Sequence, residues 1–219
     1  LPKTVDNDVY PIFQTLGAST AAEQSSIFFE NISNENTTSH RQLIIHEVMG
    51  RNCGWLTAAS AKVYRKRLEL KQFLPDILIA KKRWDIHAVY IPESNFDFNK
   101  ECSRLKKIMD ENDCVNIFLS EGAGIDTIIK EKENIGEEIQ RDAFGHIRLD
   151  SINPGNWFAK KFGERLNADK ILVQKSGYFA RSAPANNEDL DLIKKTAIIA
   201  VEEALKGKSG VVGLDNDNN

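Results

Sequence analysis

The chain has 219 residues, of which 41% are hydrophobic and 28% are charged, a composition typical of a soluble globular protein with one or two domains. Its formal net charge of −3 argues against general binding to nucleic acid, so an anionic ligand would need a local cluster of basic residues. No apolar run reaches bilayer length and no leader-like segment opens the sequence, so we expect a cytoplasmic protein with no membrane partner.

Helical and strand patterns alternate along the chain. Thr20 and Glu23 have the spacing of a capping box, which predicts a helix from there to Asn34. Short apolar runs predict buried parallel strands, and longer periodic runs predict helices between them. The predicted strands cover 41–48, 86–91, 115–119 and 171–173, and the other predicted helices cover 55–67, 98–109, 157–166 and 190–205. The charged segment 130–150 is expected to be a surface excursion that carries Asp150.

The cysteines and histidines show no metal-ligand spacing. Cys53, Cys102 and Cys114 are odd in number, which indicates a reducing compartment and buried thiols. His46 and His87 lie within apolar strands and are interpreted as core histidines with satisfied hydrogen bonds, whereas His40 and His146 show no shared spacing with them.

Ligands of parallel α/β sheets bind at the loops beyond the carboxyl ends of the strands. This rule directs attention to residues 49–54, 92–95 and 176–181. In the first loop, Gly50 permits close backbone approach and Arg51 offers a planar fork for phosphate or hydroxyl oxygens, although simple turn chemistry would also explain them. Glu93 could accept hydrogen bonds from sugar hydroxyls, or be an ordinary loop glutamate.

Two further groups of polar residues could carry chemistry. Tyr178 and Arg181, with Lys175 close by, form a locally basic patch that suits a sugar phosphate, unless it is only a solvated face. The opening stretch places Asp6 and Asp8 two residues apart beside a lysine and a threonine. One carboxylate could act as a base while the other supports a metal, and the alternative is a solvated polar turn.

In combination, these motifs resemble the phosphofructokinase family, and most closely its pyrophosphate-dependent branch. The resemblance rests on four stretches in the family's order. They are Pro-Lys-Thr-Val-Asp-Asn-Asp at 2–8, Glu-Val-Met-Gly-Arg at 47–51, Ile-Pro-Glu at 91–93 and Gly-Tyr-Phe-Ala-Arg-Ser at 177–182. The lysine in the first stretch, Lys3, is typical of the pyrophosphate branch, because ATP-using relatives commonly carry glycine at that position.

The resemblance implies a reversible glycolytic reaction between fructose 6-phosphate and pyrophosphate, assisted by Mg²⁺. It makes Asp6 the base that takes the proton from the C1 hydroxyl, Lys3 a catalytic cation, and Asp8 an indirect magnesium ligand. Thr4 and Val5 would contact substrate beside Asp6. The remaining substrate-binding residues that it implies are Met49, Gly50, Arg51 and Glu93 around the sugar, and Tyr178 and Arg181 at its 6-phosphate.

The same resemblance implies a three-layer α/β fold with two Rossmann-like lobes and mainly parallel sheets. We expect residues 1–17 and 179–219 to belong to a pyrophosphate-binding donor lobe, and residues 18–178 to form the fructose 6-phosphate lobe of a homodimeric enzyme. The family's glycine-rich donor loop is not found in this sequence, and the chain opens at Leu1 without an initiator methionine, so we expect it to be an incomplete piece.

Three alternatives remain open. The protein could be an ATP-dependent phosphofructokinase, a non-catalytic regulatory subunit of the same fold, or only a fragment. Arg41 is the sole candidate for an arginine that often precedes Met-Gly-Arg in the family, but its spacing differs and it is not assigned to the site.

Overall fold

The structure is a computed structural model that describes residues 1–77, 79–137, 139–141, 145 and 147–215. Three of the sequence-based expectations fall partly outside these residues. They concern His146, the side chain of Asp150, and the last four residues of the expected donor lobe, 216–219.

The described residues form a four-stranded parallel sheet with helices on both faces. The strands are β1 (Gln42–Val48), β2 (Ala88–Tyr90), β3 (Cys114–Ser120) and β4 (Lys170–Lys175), in the spatial order β2-β3-β1-β4. The longer helices are α1 (Ala18–Ser33), α2 (Trp55–Glu69), α3 (Phe98–Asn112), α4 (Ile125–Asn134), α6 (Pro154–Leu166) and α8 (Asn187–Leu205), and the short ones are α5 (Leu149–Ile152) and α7 (Gly177–Arg181). The predicted α/β fold with a parallel sheet is confirmed.

Two hydrophobic cores lie on opposite faces of the sheet. Because successive strand residues point to opposite faces, β1 sends Leu43 and Ile45 toward α3 and α6, and Ile44 and Val48 toward α1 and α2. Every residue of β1 and of β3 is buried, which explains why each of these central strands contains consecutive apolar residues in place of an alternating pattern. The sheet is thus the middle one of three layers.

The start of α1 differs from the prediction. The helix begins at Ala18, and Thr20 lies inside it instead of capping it. The carboxylate of Asp189, at the start of α8, accepts hydrogen bonds from the backbone N–H of Gly17 at 3.0 Å and of Thr20 at 2.8 Å. The Thr20 hydroxyl also donates to this carboxylate. A distant side chain therefore supplies the N-terminal cap that the local sequence motif was expected to provide.

Other boundaries shift by a few residues. Strand β2 is shorter than the predicted 86–91, because only Ala88–Tyr90 pair with β3. Helix α8 begins at Asn187, where the Asn186 side chain accepts from the N–H of Asp189 at 3.0 Å, and Gly207 ends it with a positive φ of 73°. The segment expected to be an excursion begins with the second half of α4.

The prediction that His46 is a satisfied core histidine is wrong. Its ring is fully buried among Phe28, Phe29 and Phe118, and neither ring nitrogen has a hydrogen-bond partner among the described residues. His87, by contrast, has both ring nitrogens within 3.0 Å of backbone partners, the N–H of Asn116 and the carbonyl of Lys82. Burial lowers the pKa of His46 to about 3, so the ring is neutral.

Helix α8 leaves much of its apolar surface exposed. Its buried residues in the described chain are Asp189, Leu192 and Thr196. Leu190, Ile198 and Val201 are all more than half exposed, and Leu205 is 84% exposed.

None of the helices in the described part of the chain is both long and apolar enough to cross a membrane.

Candidate active site

The loop after β1 is pressed against the loop after β3. Gly50 has a φ of 130°, and a Cβ there would lie 2.3 Å from the carbonyl oxygen of Cys53. A Cβ on Gly122 would lie 1.7 Å from the carbonyl oxygen of Arg51, so the two loops touch backbone to backbone. Glycine is needed at both positions, because no other residue leaves room for this approach. The loops therefore hold Arg51 against the carboxyl end of β3.

Glu121, the first residue after β3, joins this loop pair. Its backbone N–H donates to the carbonyl of Val48 at 2.9 Å, and its carboxylate accepts the N–H of Gly50 at 3.3 Å. Burial raises the pKa of Glu121, and the negative charges of Glu47 and Asp6 raise it further, while the Gly50 N–H and Arg51 oppose the shift. A partly buried carboxylate thus stands between the predicted sugar loop and the predicted base.

Glu121 was not among the residues predicted from the sequence. The signal was available, because Glu121 follows a buried strand at its carboxyl end just as Met49 follows β1, and the rule on strand ends applies to both. The predicted ligand-binding loops did not include the loop after β3, although the strand itself was predicted.

The opening segment folds over the end of β1. Asn7 has a left-handed backbone with φ of 55°, and its side-chain oxygen accepts from the N–H of Thr15 at 2.7 Å. The hydroxyl of Thr15 donates to the carbonyl of Thr4 at 2.7 Å. Val5 and Met49 both pack against the hydrophobic cluster on one face of the sheet. The charges of Asp6 and Asp8 act on the thiol of Cys53, so the Asp-Asn-Asp turn lies near the loop after β1.

Asp6 is half-buried in this turn. Burial raises the pKa of its carboxyl group, nearby Asp8 raises it further, and Arg181 acts in the opposite direction. The side-chain oxygen Oδ1 is buried and accepts no hydrogen bond from any residue that the structure describes. Both properties suit a group that takes up a proton, because a higher pKa makes a carboxylate a stronger base.

Tyr178 and Arg181 lie on the short helix α7, just beyond the end of β4. Both side chains are exposed, and Tyr178 lines a cavity of about 460 Å³ together with Met49 and Glu121. Because Arg181 acts electrostatically on Asp6, the patch after β4 and the turn of Asp6 share one neighbourhood.

Arg51 lines a second cavity of about 320 Å³, with Asn52, Pro92 and Gly122 in the wall. The charge of Glu93 acts on the Cys53 thiol together with those of Asp8 and Asp6, so Glu93 lies in the same neighbourhood as the turn of Asp6. Its carboxylate accepts the N–H of Gly54 at 2.7 Å, at the start of α2. Assignment of Glu93 to the sugar stays a prediction.

The structure therefore brings several predicted residues together. The charges of Asp6 and Arg51 both shift the pKa of the Glu121 carboxyl group, so both residues lie near Glu121. Lys3 is exposed, and its backbone pairs with that of Leu16. Thr4 is half-buried, and its hydroxyl accepts the N–H of Asp6 at 3.2 Å.

Asp6 and Asp8 are the residues here that fit a magnesium ion. Mg²⁺ commonly uses one or two carboxylates together with substrate phosphate oxygens and water, and the unpaired Oδ1 of Asp6 beside Asp8 meets the protein's part of that demand. Within the described part of the chain, no group of three or more histidine, cysteine, aspartate or glutamate side chains could hold a metal by itself.

Comparisons with known proteins agree on one family. The sequence model of the family described as Phosphofructokinase matches residues 1–204. The chain is 54% identical over 218 residues to a pyrophosphate--fructose 6-phosphate 1-phosphotransferase of Methylomonas methanica, covering 100% of this chain and 53% of that relative. It is 52% identical over 217 residues to the protein of the same name from Propionibacterium freudenreichii, covering 99% of this chain and 54% of the relative. The chain spans about half the length of these relatives.

Solved structures show the same fold at lower identity. The crystal structure of a pyrophosphate-dependent phosphofructokinase from Nitrosospira multiformis matches with a TM-score of 0.64 and 21% identity, over 96% of this chain and 45% of that one. The phosphofructokinase of Pichia pastoris in the T-state matches with a TM-score of 0.62 and 20% identity, over 98% of this chain and 20% of that one.

Proposed function

The chain belongs to the phosphofructokinase family, and on that premise we propose that it is part of an enzyme that phosphorylates fructose 6-phosphate with pyrophosphate. The products are fructose 1,6-bisphosphate and phosphate. The names of the relatives that are more than half identical over almost the whole chain support this choice of donor and acceptor. The observation that carries the proposal is the position of Asp6, half-buried with an unpaired oxygen beside Arg181 and Glu121.

In the proposed reaction, Asp6 removes the proton from the C1 hydroxyl of the sugar. The C1 oxygen then bonds to one phosphorus of pyrophosphate while the bridging P–O bond breaks, and phosphate leaves with the electron pair. Such a positioned base is worth roughly 10²- to 10⁴-fold in rate. The raised pKa of Asp6 improves the match between the carboxylate and an alcohol proton.

The sugar-phosphate residues lie along the carboxyl edge of the sheet. We assign Met49, Gly50, Arg51 and Glu121 to the sugar, and Tyr178 and Arg181 to its 6-phosphate. Arginine suits this role because its planar guanidinium makes paired, charge-assisted hydrogen bonds with phosphate oxygens. Thr4 and Val5 would contact the substrate beside Asp6, and Glu93 is retained as a candidate for the sugar hydroxyls.

Lys3 and Asp8 are assigned to the phosphate being transferred. Lys3 is an exposed cation three residues from the base, and a compact ammonium there would offset negative charge on the transferring and leaving groups. When bound, Mg²⁺ would neutralise charge on the pyrophosphate oxygens. Asp8 would hold it, directly or through water, while Asp6 remains the proton acceptor.

We further propose that residues 18–178 form the sugar lobe and that residues 1–17 and 179–219 contribute to a donor lobe. Residues 1–17 and 179–215, the part of that donor lobe that the structure describes, are termed the donor-side segments. The exposed apolar surface of α8 supports this division, because it offers a face on which the rest of such a lobe could pack. The relatives' greater length supports it too. A homodimeric, cytoplasmic enzyme of glycolysis is the expected setting.

Side-by-side assays of the full-length natural protein with pyrophosphate and with ATP test the donor assignment. We expect turnover of fructose 6-phosphate to be at least tenfold faster with pyrophosphate, since Lys3 offers a positive charge to the shorter donor. Faster turnover with ATP would reject the assignment of the donor but not of the sugar. No turnover with either donor, with sugar binding intact, would favour the regulatory subunit.

A further inference from the structure

Glu47 is a buried carboxylate that the proposed reaction does not use. It lies near the end of β1 with 6% of its side chain exposed. One oxygen, Oε1, is 2.7 Å from Nζ of Lys175, and the other, Oε2, accepts the backbone N–H of Gly155 at 2.9 Å. A charge that is buried to this extent needs such partners, because a bare carboxylate in the protein interior is strongly unfavourable.

These contacts join three parts of the fold at one point. Glu47 belongs to β1, Lys175 is the last residue of β4, and Gly155 lies in the first turn of α6. A Cβ on Gly155 would lie 2.3 Å from Oε2 of Glu47, so the helix approaches as closely as a glycine allows. The carboxylate therefore fixes β4 and α6 relative to the strand that carries the Met-Gly-Arg loop.

The end of β4 that Glu47 holds leads directly into α7, which carries the proposed 6-phosphate ligands Tyr178 and Arg181. Ser176 follows Lys175, donates its N–H to the carbonyl of Glu47 at 3.3 Å, and is buried with its hydroxyl 3.3 Å from that of Ser25. Helix α7, with Tyr178 and Arg181, begins at the next residue. Any shift of Lys175 would thus be transmitted to α7.

Both partners of the pair face the proposed site. Glu47 and Lys175 line the same cavity as Met49, Glu121 and Tyr178. Lys175 is 51% exposed, so water screens its attraction to Glu47 and the ion pair is a weak source of stability. The main effect of the pair is on geometry at the cavity wall.

We propose that Glu47 and Lys175 are a positioning pair that holds Tyr178 and Arg181 at the correct distance from the Met49–Arg51 loop. The inference deepens the proposed function, since it concerns how that site holds the sugar phosphate. The 6-phosphate is bound equally in the ground state and the transition state. Disturbing the pair should therefore raise KM and leave kcat nearly unchanged.

The first test compares three variants of the full-length protein. Lys175→Met should raise KM for fructose 6-phosphate about tenfold with kcat within about threefold, the size expected when one charge-assisted contact is lost. Lys175→Arg should restore KM to within about twofold, because a guanidinium can pair with the same carboxylate. Lys170→Met is the matched control, since Lys170 pairs with Glu35 at the opposite end of β4 and should leave KM unchanged.

The second test separates positioning from direct contact. Glu47→Gln keeps the acceptor for Gly155 but removes the ion pair, and it should raise KM about as much as Lys175→Met does. The double variant should be no worse than either single variant, because each removes the same interaction. If Glu47→Gln leaves KM unchanged while Lys175→Met raises it, Lys175 binds substrate directly and the positioning pair is rejected. The Lys175→Met variant should fold, because the Lys175 side chain is half-exposed. An unchanged KM in this variant rejects the positioning pair as well.

Calorimetric titration with fructose 6-phosphate distinguishes failure of this inference from failure of the proposed function. If the unsubstituted protein binds the sugar without turnover, the proposed reaction is rejected and the dissociation constants of the variants still test the pair. If the unsubstituted protein turns over and Lys175→Met binds equally well, only the pair is rejected. Absence of sugar binding in the unsubstituted protein rejects both.

Discussion

The proposed sugar lobe is built on buried central strands, whereas the donor-side segments expose much of the apolar surface of α8. In the sugar lobe, β1 and β3 are buried along their whole length between two layers of helices. In the donor-side segments, Tyr10 is 96% exposed and α8 turns Leu205 outward. Residues 18–178 thus contain most of the buried core, whereas the turn of Asp6, the proposed base, is held by a few specific contacts.

Those contacts define the junction between the two regions. Val5 packs on the same hydrophobic cluster as Met49, and Asp189 binds the start of α1. Chemistry is therefore expected to depend on the donor side, and stability on the junction and the sheet. Substitutions in each region can break or refine that division.

Asp6→Asn in the full-length protein should lower kcat roughly 10²- to 10⁴-fold, because an amide cannot take the proton of the C1 hydroxyl. Steady-state assays with pyrophosphate measure it. The free energy of unfolding should change little, since the amide fits the same space. A rate within threefold of the unsubstituted protein would exclude Asp6 as the base.

Asp189→Ala should destabilise the protein by about 3 kcal/mol, because it leaves the N–H groups of Gly17 and Thr20 and the Thr20 hydroxyl without their acceptor. Urea denaturation measures the loss. Asp191→Ala, an exposed aspartate on the same helix, is the control and should stay within about 0.5 kcal/mol. Equal losses in the two variants would show that the junction does not depend on this cap.

His46→Leu should remove a pH dependence that belongs to the sugar lobe. The pKa of His46 is about 3 in the folded protein and near 6.5 when unfolded, so the unfolded state binds the proton first as the pH falls. The contribution of neutral His46 is complete above about pH 6.5 and is lost from there toward pH 3. Between pH 7 and pH 5 the unsubstituted protein should lose about 2 kcal/mol more than the variant, measured by urea denaturation at both values. Parallel losses in the two proteins would contradict the buried, unpaired imidazole.

Val201→Ser tests whether α8 is covered in the full-length protein. If the rest of a donor lobe packs on this face, the substitution should cost about 1 kcal/mol, because an apolar side chain then leaves a buried site. Glu202→Ser, its exposed neighbour, is the control. Thermal denaturation of both variants gives the comparison, and no difference between them would mean that the face stays in contact with solvent.

Much of the sugar lobe could be predicted from the sequence, for a clear physical reason. Strands β1 and β3 are buried on both faces, so each contains a short run of consecutive apolar residues, 43–45 in β1 and 117–119 in β3, that identifies it. Because the strands could be predicted, the ligand-binding loops after β1 and β4 could be predicted too, including Met49, Gly50 and Tyr178.

The parts that were missed depend on contacts between distant residues. The cap of α1 comes from Asp189, which no local pattern around Thr20 could reveal. The isolation of His46 depends on which aromatic rings surround it. Glu121 differs from these two, because its position directly after a buried strand is visible in the sequence and obeys the strand-end rule.

The cap on α1 has a consequence for the order in which the protein folds on the ribosome. Gly17 and its acceptor are 172 positions apart, so the first turn of α1 has no cap until α8 has left the exit tunnel. Contacts between such distant positions form late, because closing a long loop is entropically unfavourable. Pulsed hydrogen exchange during refolding should therefore find the amide of Thr20 protected only after those of β1 and β3.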